Sequence, residues 1–400
     1  MQYIFWIAFG IIFYNYIGYG LLLFVINSLK GILSLKRDTP ADDVLPDVTV
    51  VIAAYNEEAV ILEKINNCFQ LDYPEEKLFF VFVTDGSTDQ TAQIIRGFPR
   101  IVLLNDFERR GKTEALNRAM NIVKTQVTIF SDANTVLNRD AVKNIVKHYK
   151  DSCTGGVAGE KRILVNDDSQ TQATGEGFYW QYESFLKRLD SLFYTVVGAA
   201  GELFSIRTSL WEPLPKDVIL DDFVISARIN LRGYRIGYAP DAWASELPSS
   251  SLEDEKKRKI RISAGAFQAM ALLTELLNVF KHPTLFFQFF SHRILRWTLT
   301  PLSFPFLFVA NALLLCRSDN SLFYYYTFLL QVIFYVLAFI GSRLTDYAKY
   351  PQVLKIFYYI LFMNYSVYLG FFRFVKGRQS VIWEKSERKL RVRSDIINAE

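Results

Sequence analysis

Between Val48 and Asp132, short apolar runs alternate with helix-like stretches, and this alternation constrains the fold more than any other feature. Val48–Ala53 reads as a buried strand; Tyr55-Asn56-Glu57-Glu58 breaks it and opens a helix to about Gln70. Pro74 marks a turn before a second strand, Leu78–Val83, which ends in Thr84-Asp85-Gly86-Ser87-Thr88-Asp89. A helix to about Arg96, a strand at Ile101–Leu104, a polar loop Asn105–Gly111 and a helix from Lys112 to about Val123 follow. The fourth strand reaches Asp132 in I-F-S-D-A-N-T. Strands and helices in this order predict a parallel sheet with right-handed crossovers.

Three polar loops therefore leave carboxyl ends of one sheet, where open α/β sheets bind ligands. Asp132 can offer a hard oxygen to Mg²⁺ or Mn²⁺. An isolated D-x-N is equally an ordinary turn; convergence of several such loops favours a site. Arg109, Arg110 and Lys112 add positive charge suited to phosphate. G-x-G-x-x-G after the first strand and the P-loop pattern are both missing, which excludes a dinucleotide fold and a P-loop enzyme.

Composition adds a membrane. Hydrophobic residues make up 51% of the 400 and aromatics 16%, too apolar for an ordinary soluble enzyme. Tyr3–Ile26 carries no charge and exceeds the roughly 20 residues a spanning helix needs. It lacks the flanks of a cleaved signal, so it is read as a retained anchor. Lys30, Lys36 and Arg37 follow it and place the next domain in the cytoplasm. The net charge is only +4, which points to a membrane surface and away from nucleic acid. Cys68, Cys153 and Cys316, with His148, His282 and His292, show neither zinc spacing nor a disulfide framework.

The motifs V-V-I-A-A-Y-N-E-E, V-T-D-G-S-T-D and F-S-D-A-N-T resemble inverting family-2 glycosyltransferases with a GT-A fold, similar to polysaccharide synthases of the biofilm, hyaluronan and cellulose type, from about Val48 to Gly265. The resemblance implies roles by position. Ala53, Tyr55 and Glu57 match the first nucleotide-contacting loop. Asp85 matches the residue at the uracil end, with Thr84 where a second acid is usual. Lys112 matches the residue near base and ribose. Asp132 and Asn134 match the metal-binding D-x-D, so Asp132 carries most of the metal interaction. In Ile219-Leu220-Asp221-Asp222-Phe223, Asp222 matches the general base and Asp221 stands where Glu is common; plain helix capping is the bland alternative. Arg258 and Arg261 match the Q-x-x-R-W segment that meets diphosphate and acceptor. Gln has become Arg258 and Trp has become Ile262, which sets processive synthesis in question.

Other stretches are read from composition. Phe178, Tyr179, Trp180 and Tyr182 are either sugar-facing aromatics or a core helix. Val196–Arg207 reads as a small-residue loop feeding a strand. Ile262, Ala266, Met270, Leu273, Leu277 and Phe280 predict an amphipathic helix on the cytoplasmic leaflet. Ser291–Trp297 reads as an interfacial anchor. Thr298–Cys316, Leu322–Ile340 and Val353–Phe372 are long enough to span, and Gln331 and Asn364 within them either line a glycan path or bridge helices, with bridging the favoured reading. Three spans conflict with a basic tail on the cytoplasmic side, so the Pro301/Pro305 stretch is expected to be re-entrant or interfacial.

The expected organisation is an N-terminal anchor (1–28), a linker (29–47), a cytoplasmic GT-A α/β domain (48–255), interface helices (256–297), transmembrane helices (298–375) and a basic tail (376–400). The expected protein is a multi-pass cell-membrane glycosyltransferase, transferring from a nucleotide sugar, with UDP expected, to a polysaccharide or lipid-linked acceptor. A single-addition enzyme on a polyprenyl-phosphate or lipid acceptor is one alternative. An inactive nucleotide-binding subunit of a glycan-export complex is another. An accessory membrane subunit is compatible with all three.

Overall fold

The computed structural model describes residues 1–33, 45–163, 170–247, 252–316, 322–343 and 352–377. Most of the linker and the tail beyond Gly377 lie outside them. The chain opens with a helical rod: α1 (Gln2–Phe13), one π-helical turn at Tyr14–Gly18, and α2 (Tyr19–Leu33). Tyr3, Ile7, Leu21 and Phe24 are exposed on it, the pattern of a helix whose outer solvent is lipid.

The predicted order of elements then appears: β1 (Val48–Ala54), α3 (Ile61–Phe69), β2 (Leu78–Asp85), α4 (Thr91–Arg96), β3 (Ile101–Asp106), α5 (Lys112–Met120) and β4 (Val127–Ser131). The helix after β1 starts later than expected. Asn56 adopts φ 52° and its Oδ1 accepts the Thr88 N–H at 2.8 Å, so this stretch stitches two loops together before α3 begins. The second half adds β5 (Val136–Leu137), α6 (Ala141–Val146), β6 (Thr154–Ile163), α7 (Gln170–Phe193), β7 (Leu203–Arg207), α8 (Asp221–Leu231) and β8 (Arg235–Glu246).

The eight strands lie in the order β3-β2-β1-β4-β7-β6-β8-β5. The first four pair in parallel. Beyond them the sheet is mixed: β7 runs antiparallel to both β4 and β6, β5 antiparallel to β8, and β6 parallel to β8. The connection is α7, which packs on β6 and β8 and also reaches α2 and a C-terminal helix before the chain re-enters antiparallel to β6. Alternating side chains feed two apolar layers. Val48, Val50 and Ile52 face α3 and α6; Val51, Ala53 and Phe130 face α5 and α8.

The rest is helical: α9 (Leu252–Leu272), α10 (Pro283–Phe289), α11 (Leu295–Trp297), α12 (Leu299–Leu315), α13 (Leu322–Arg343) and α14 (Gln352–Val375). α9 does not lie free on a leaflet. It packs along α14, and a Cβ on Gly265 or Gly370 would collide with Leu220 or Ser263. The expected stripe also ends early, because α9 stops at Leu272 and leaves Leu277 and Phe280 exposed beyond it. Ser291–Trp297 is likewise no surface anchor: Trp297 packs 5.5 Å from the Phe223 ring, and Arg293 and Arg296 pair with Glu183 at 2.7 and 2.8 Å.

Among the described residues, Gln2–Gly31 and α13 are long and apolar enough to cross a membrane. A pair bent by 54°, Pro283–Trp297 with α12, is either a third span or a re-entrant loop. Pro301 lies in the first turn of α12, where a missing N–H costs nothing, so it starts a new helix there. α14, expected as a span, is not among these candidates; Lys355, Asn364 and Ser366 are buried in it. Asn364 bridges helices, donating to Tyr16 Oη at 2.9 Å.

Candidate active site

β4 ends at Ser131, and the turn that follows carries Asp132 and Asn134. Lys64, 1% exposed, clasps this turn from behind. Its ammonium donates to Ser131 Oγ (2.7 Å), the Thr135 carbonyl (3.0 Å) and Thr135 Oγ1 (3.1 Å). Burial pulls its pKa down to about 8, against support from Cys68 and Asp132. Sequence reasoning missed Lys64. The signal was there: it falls on the same helical face as Ile61, Ile65 and Cys68, a place where a lysine needs a reason.

β2 ends at Asp85, 2% exposed. Its Oδ1 accepts the Arg110 N–H at 2.9 Å and its Oδ2 the Gly111 N–H at 2.7 Å. Asp85 thus fixes the turn that leads into α5, where Gly111 takes φ 96°. Lys112, the first residue of α5, is aimed from there at Asp132 Oδ1 (2.9 Å) and Asp221 Oδ2 (3.6 Å). Burial opposes its charge, but Asp132, Asp221 and Asp222 together raise its pKa above the ordinary lysine range.

Asp221 and Asp222 open α8, whose placement depends on Phe223. Gly198 (φ 90°) lets that ring approach; a Cβ there would lie 2.4 Å from it. A Cβ on Gly201 would stand 3.4 Å from Asp222 Oδ2 and 3.6 Å from Lys112 Nζ, so the loop before β7 closes against both charges. Burial pushes the Asp222 pKa up to about 7; neighbouring Asp221 adds to this and Lys112 opposes it. Asp221 Oδ2 is buried without a hydrogen-bond partner.

A carboxyl poised near neutrality thus stands beside an ammonium and two further carboxylates, at the open end of a half-parallel sheet. Residues 46–265 match the family described as glycosyltransferase like family 2, more than half of the chain. The chain belongs to that family. The glycosyltransferase is 28% identical over 283 residues to the poly-β-1,6-N-acetyl-D-glucosamine synthase of Staphylococcus aureus, covering 67% of this chain and 63% of that protein. The enzyme of the same name from Staphylococcus epidermidis matches at 25% identity over 236 residues, 56% of this chain and 55% of that one. The chain thus spans less than two thirds of the length of these relatives. A mannosyltransferase from Pyrobaculum calidifontis, solved with GDP-Man and Mn²⁺, superposes with TM-score 0.68 at 24% identity over 94% of this chain and 99% of that one, which shows the shared fold.

Other expected positions of the glycosyltransferase divide into two groups. Arg261 joins the cluster. Burial lowers its pKa, and Asp221 and Asp132 are the carboxylates that support its charge. Arg258 turns away, donating to Glu255 at 2.9 Å and lying 4.0 Å from Glu246. Tyr55 stacks under Arg109, 3.7 Å from guanidinium to ring, near the Asp85 turn. The Glu57 N–H donates to Thr91 Oγ1 at 2.8 Å, tying the first two loops together. Ala53 is buried inside β1 in the apolar layer facing α5.

A divalent cation of the Mg²⁺ or Mn²⁺ class often takes only one or two protein carboxylates and completes its shell with phosphate and water. Among the described residues, no three acidic, His or Cys side chains are grouped to hold a metal alone. Asp132 is one-third exposed, Asn134 follows it, and the Asp221 oxygen that faces Lys112 accepts no hydrogen bond. That donor set fits a cation shared with a diphosphate.

Proposed function

We propose that this chain is a membrane glycosyltransferase that moves a sugar from a nucleotide sugar, UDP-linked, to a glycan or lipid-linked acceptor with inversion, on the cytoplasmic face. The observation that carries this reading is the meeting of Asp132, Asp221 and Asp222 around Lys112. Asp222 takes the proton of the acceptor hydroxyl as that oxygen attacks the anomeric carbon from the face opposite the leaving group. Its pKa near 7 suits it to hold and release a proton at neutral pH. Asp221 holds Lys112 and the first turn of α8 in place. Lys112 and Arg261 meet the negative charge that develops on the departing diphosphate.

Asp132 and Asn134 would hold Mg²⁺ or Mn²⁺, which supplies Lewis-acid neutralisation of the diphosphate when bound. Asp85, Tyr55, Glu57 and Ala53 frame the nucleoside end, Asp85 through the loop it fixes, and Arg258 lies one turn before Arg261 on the same helix. The S. aureus relative is named for polymer synthesis, which supports a polysaccharide product. A second reading, one sugar per lipid-linked acceptor, is favoured by Ile262 standing where the family carries Trp.

The test is a panel of UDP- and GDP-sugars offered to membranes holding the full chain, with release of nucleoside diphosphate as readout. At least one UDP-sugar is turned over, and Asp222→Asn is not active with it. A wild-type chain that binds UDP yet turns over none of the panel would be a nucleotide-binding subunit, and the transferase reading would fall. Product length then separates polymer from single addition.

A further inference from the structure

Lys187 is the buried cation that the site just described does not use. It lies on α7 and is 3% exposed, and among the described residues its ammonium has no hydrogen-bond or ion-pair partner. It stands 5.6 Å from the centre of the Trp180 ring, two turns back on the same helix. A lysine 3% exposed with no protein oxygen on any of its three N–H groups is costly unless something else brings oxygen to it.

The surroundings say what that something is. Glu183, Glu202 and Glu160 all lie close enough to support the charge of Lys187. Each is occupied: Glu183 by Arg293 and Arg296, Glu202 by Lys161 at 2.5 Å, Glu160 by the hydroxyls of Ser184 (2.6 Å) and Tyr238. Counter-charge is therefore already supplied, from beyond contact distance. Oxygen atoms in contact are what is missing. An anion entering here would meet three carboxylates, whereas a neutral polyhydroxylated ring would not. An indole plane beside unspent N–H donors is the usual equipment for a sugar: C–H groups pack on the ring and hydroxyl or acetamido oxygens accept.

Position agrees. A Cβ on Gly201 would meet Asp222 and Lys112, and the next residue, Glu202, reaches Lys161. Lys161 lies 4.6 Å over the Trp180 ring, and Lys259 of α9 lies 5.8 Å over it. Lys259 is three residues before Ile262, on the same helical face. α7 itself packs on α2 and α14. The half-buried indole thus links the base loop to the helices nearest the bilayer.

We propose that Trp180 and Lys187 form the subsite that holds a sugar ring of a saccharide acceptor, supplying from α7 the aromatic platform that Ile262 cannot supply from α9. The proposal rests on the transferase reading above. It assigns the acceptor class, a neutral saccharide, and two residues to bind it.

The test uses the full chain in detergent. It is titrated with trisaccharides of glucose, N-acetylglucosamine, galactose and mannose, with a polyprenyl phosphate, and separately with UDP and GDP. One trisaccharide binds. Trp180→Ala and Lys187→Met each weaken it about tenfold, the cost of one stacking platform or one charge-assisted hydrogen bond. Trp180→Phe stays within about threefold, since it keeps an aromatic face. Nucleotide affinity is the same in all variants, which shows each is folded. Saccharide binding that survives both substitutions overturns the proposal. So does nucleotide binding without any trisaccharide binding, or a loss confined to polyprenyl phosphate. If neither nucleotide binds the wild type, the transferase reading is what fails, and this one falls with it.

Discussion

As the proposed base, Asp222 acts only as a carboxylate, and burial pushes its pKa up to about 7. For the free enzyme, kcat/KM therefore rises with pH, about tenfold per unit below that value, and levels off above it. The stability contribution has the opposite sense. The folded state keeps a proton that the unfolded chain loses near pH 4, so this residue's share of stability falls as pH rises from about 4 to about 7. Asp222→Asn removes the base and lowers kcat by about 10²–10⁴ while UDP affinity, measured by calorimetry, stays within about twofold. Asp132→Ala removes turnover together with the metal response. Lys64→Met keeps the fold but frees the 131–135 turn; UDP affinity measured in the presence of Mn²⁺ falls, and Lys64→Arg recovers only part of it, because a planar guanidinium cannot reproduce three converging bonds. The acids were legible in the sequence because each ends a strand or opens a helix within a motif. Lys64 and Lys187 were not, because a lysine's partners are set by tertiary packing that one sequence does not display.

The parallel half of the sheet could be read from the sequence strand by strand, since each helix between strands returns the chain to the same edge. The antiparallel half could not. Nothing local in Gln170–Phe193 says that this helix will reach beyond the sheet to the N-terminal rod. α9 misled for a related reason: its basic start and apolar stripe fit a lipid surface, yet α14 covers it. Gly198 shows how one position controls an element. Gly198→Ala adds a Cβ at φ 90° and 2.4 Å from Phe223, so the ring and the start of α8 must shift. The expected loss is about 2–3 kcal/mol in chemical denaturation, from positive-φ strain and overpacking together. Turnover falls further than stability, because α8 carries the base.

At the scale of the molecule, the rod at the N-terminus is part of the folded body. Tyr19 and Leu23 are fully buried against Leu186 and Leu189 of α7. The Tyr19 hydroxyl donates to Asp190, which also bonds His292 Nδ1 at 2.6 Å. Deleting residues 1–33 exposes that apolar face and removes one hydrogen bond from the buried Asp190 carboxylate, leaving those from Gln288 and His292. The truncated chain is expected to aggregate or lose several degrees in melting temperature in detergent, where simple removal of a tether would change neither.

Such a rod, welded to α7 by Tyr19 and Leu23, is a strut of fixed length. On the membrane reading proposed above, a flexible leash would let the site drift, whereas a strut holds Asp222 at one height above the plane of the lipids. Only hydroxyl groups presented at that altitude can be reached, so the seam between rod and sheet acts as a depth gauge on what the enzyme is able to extend.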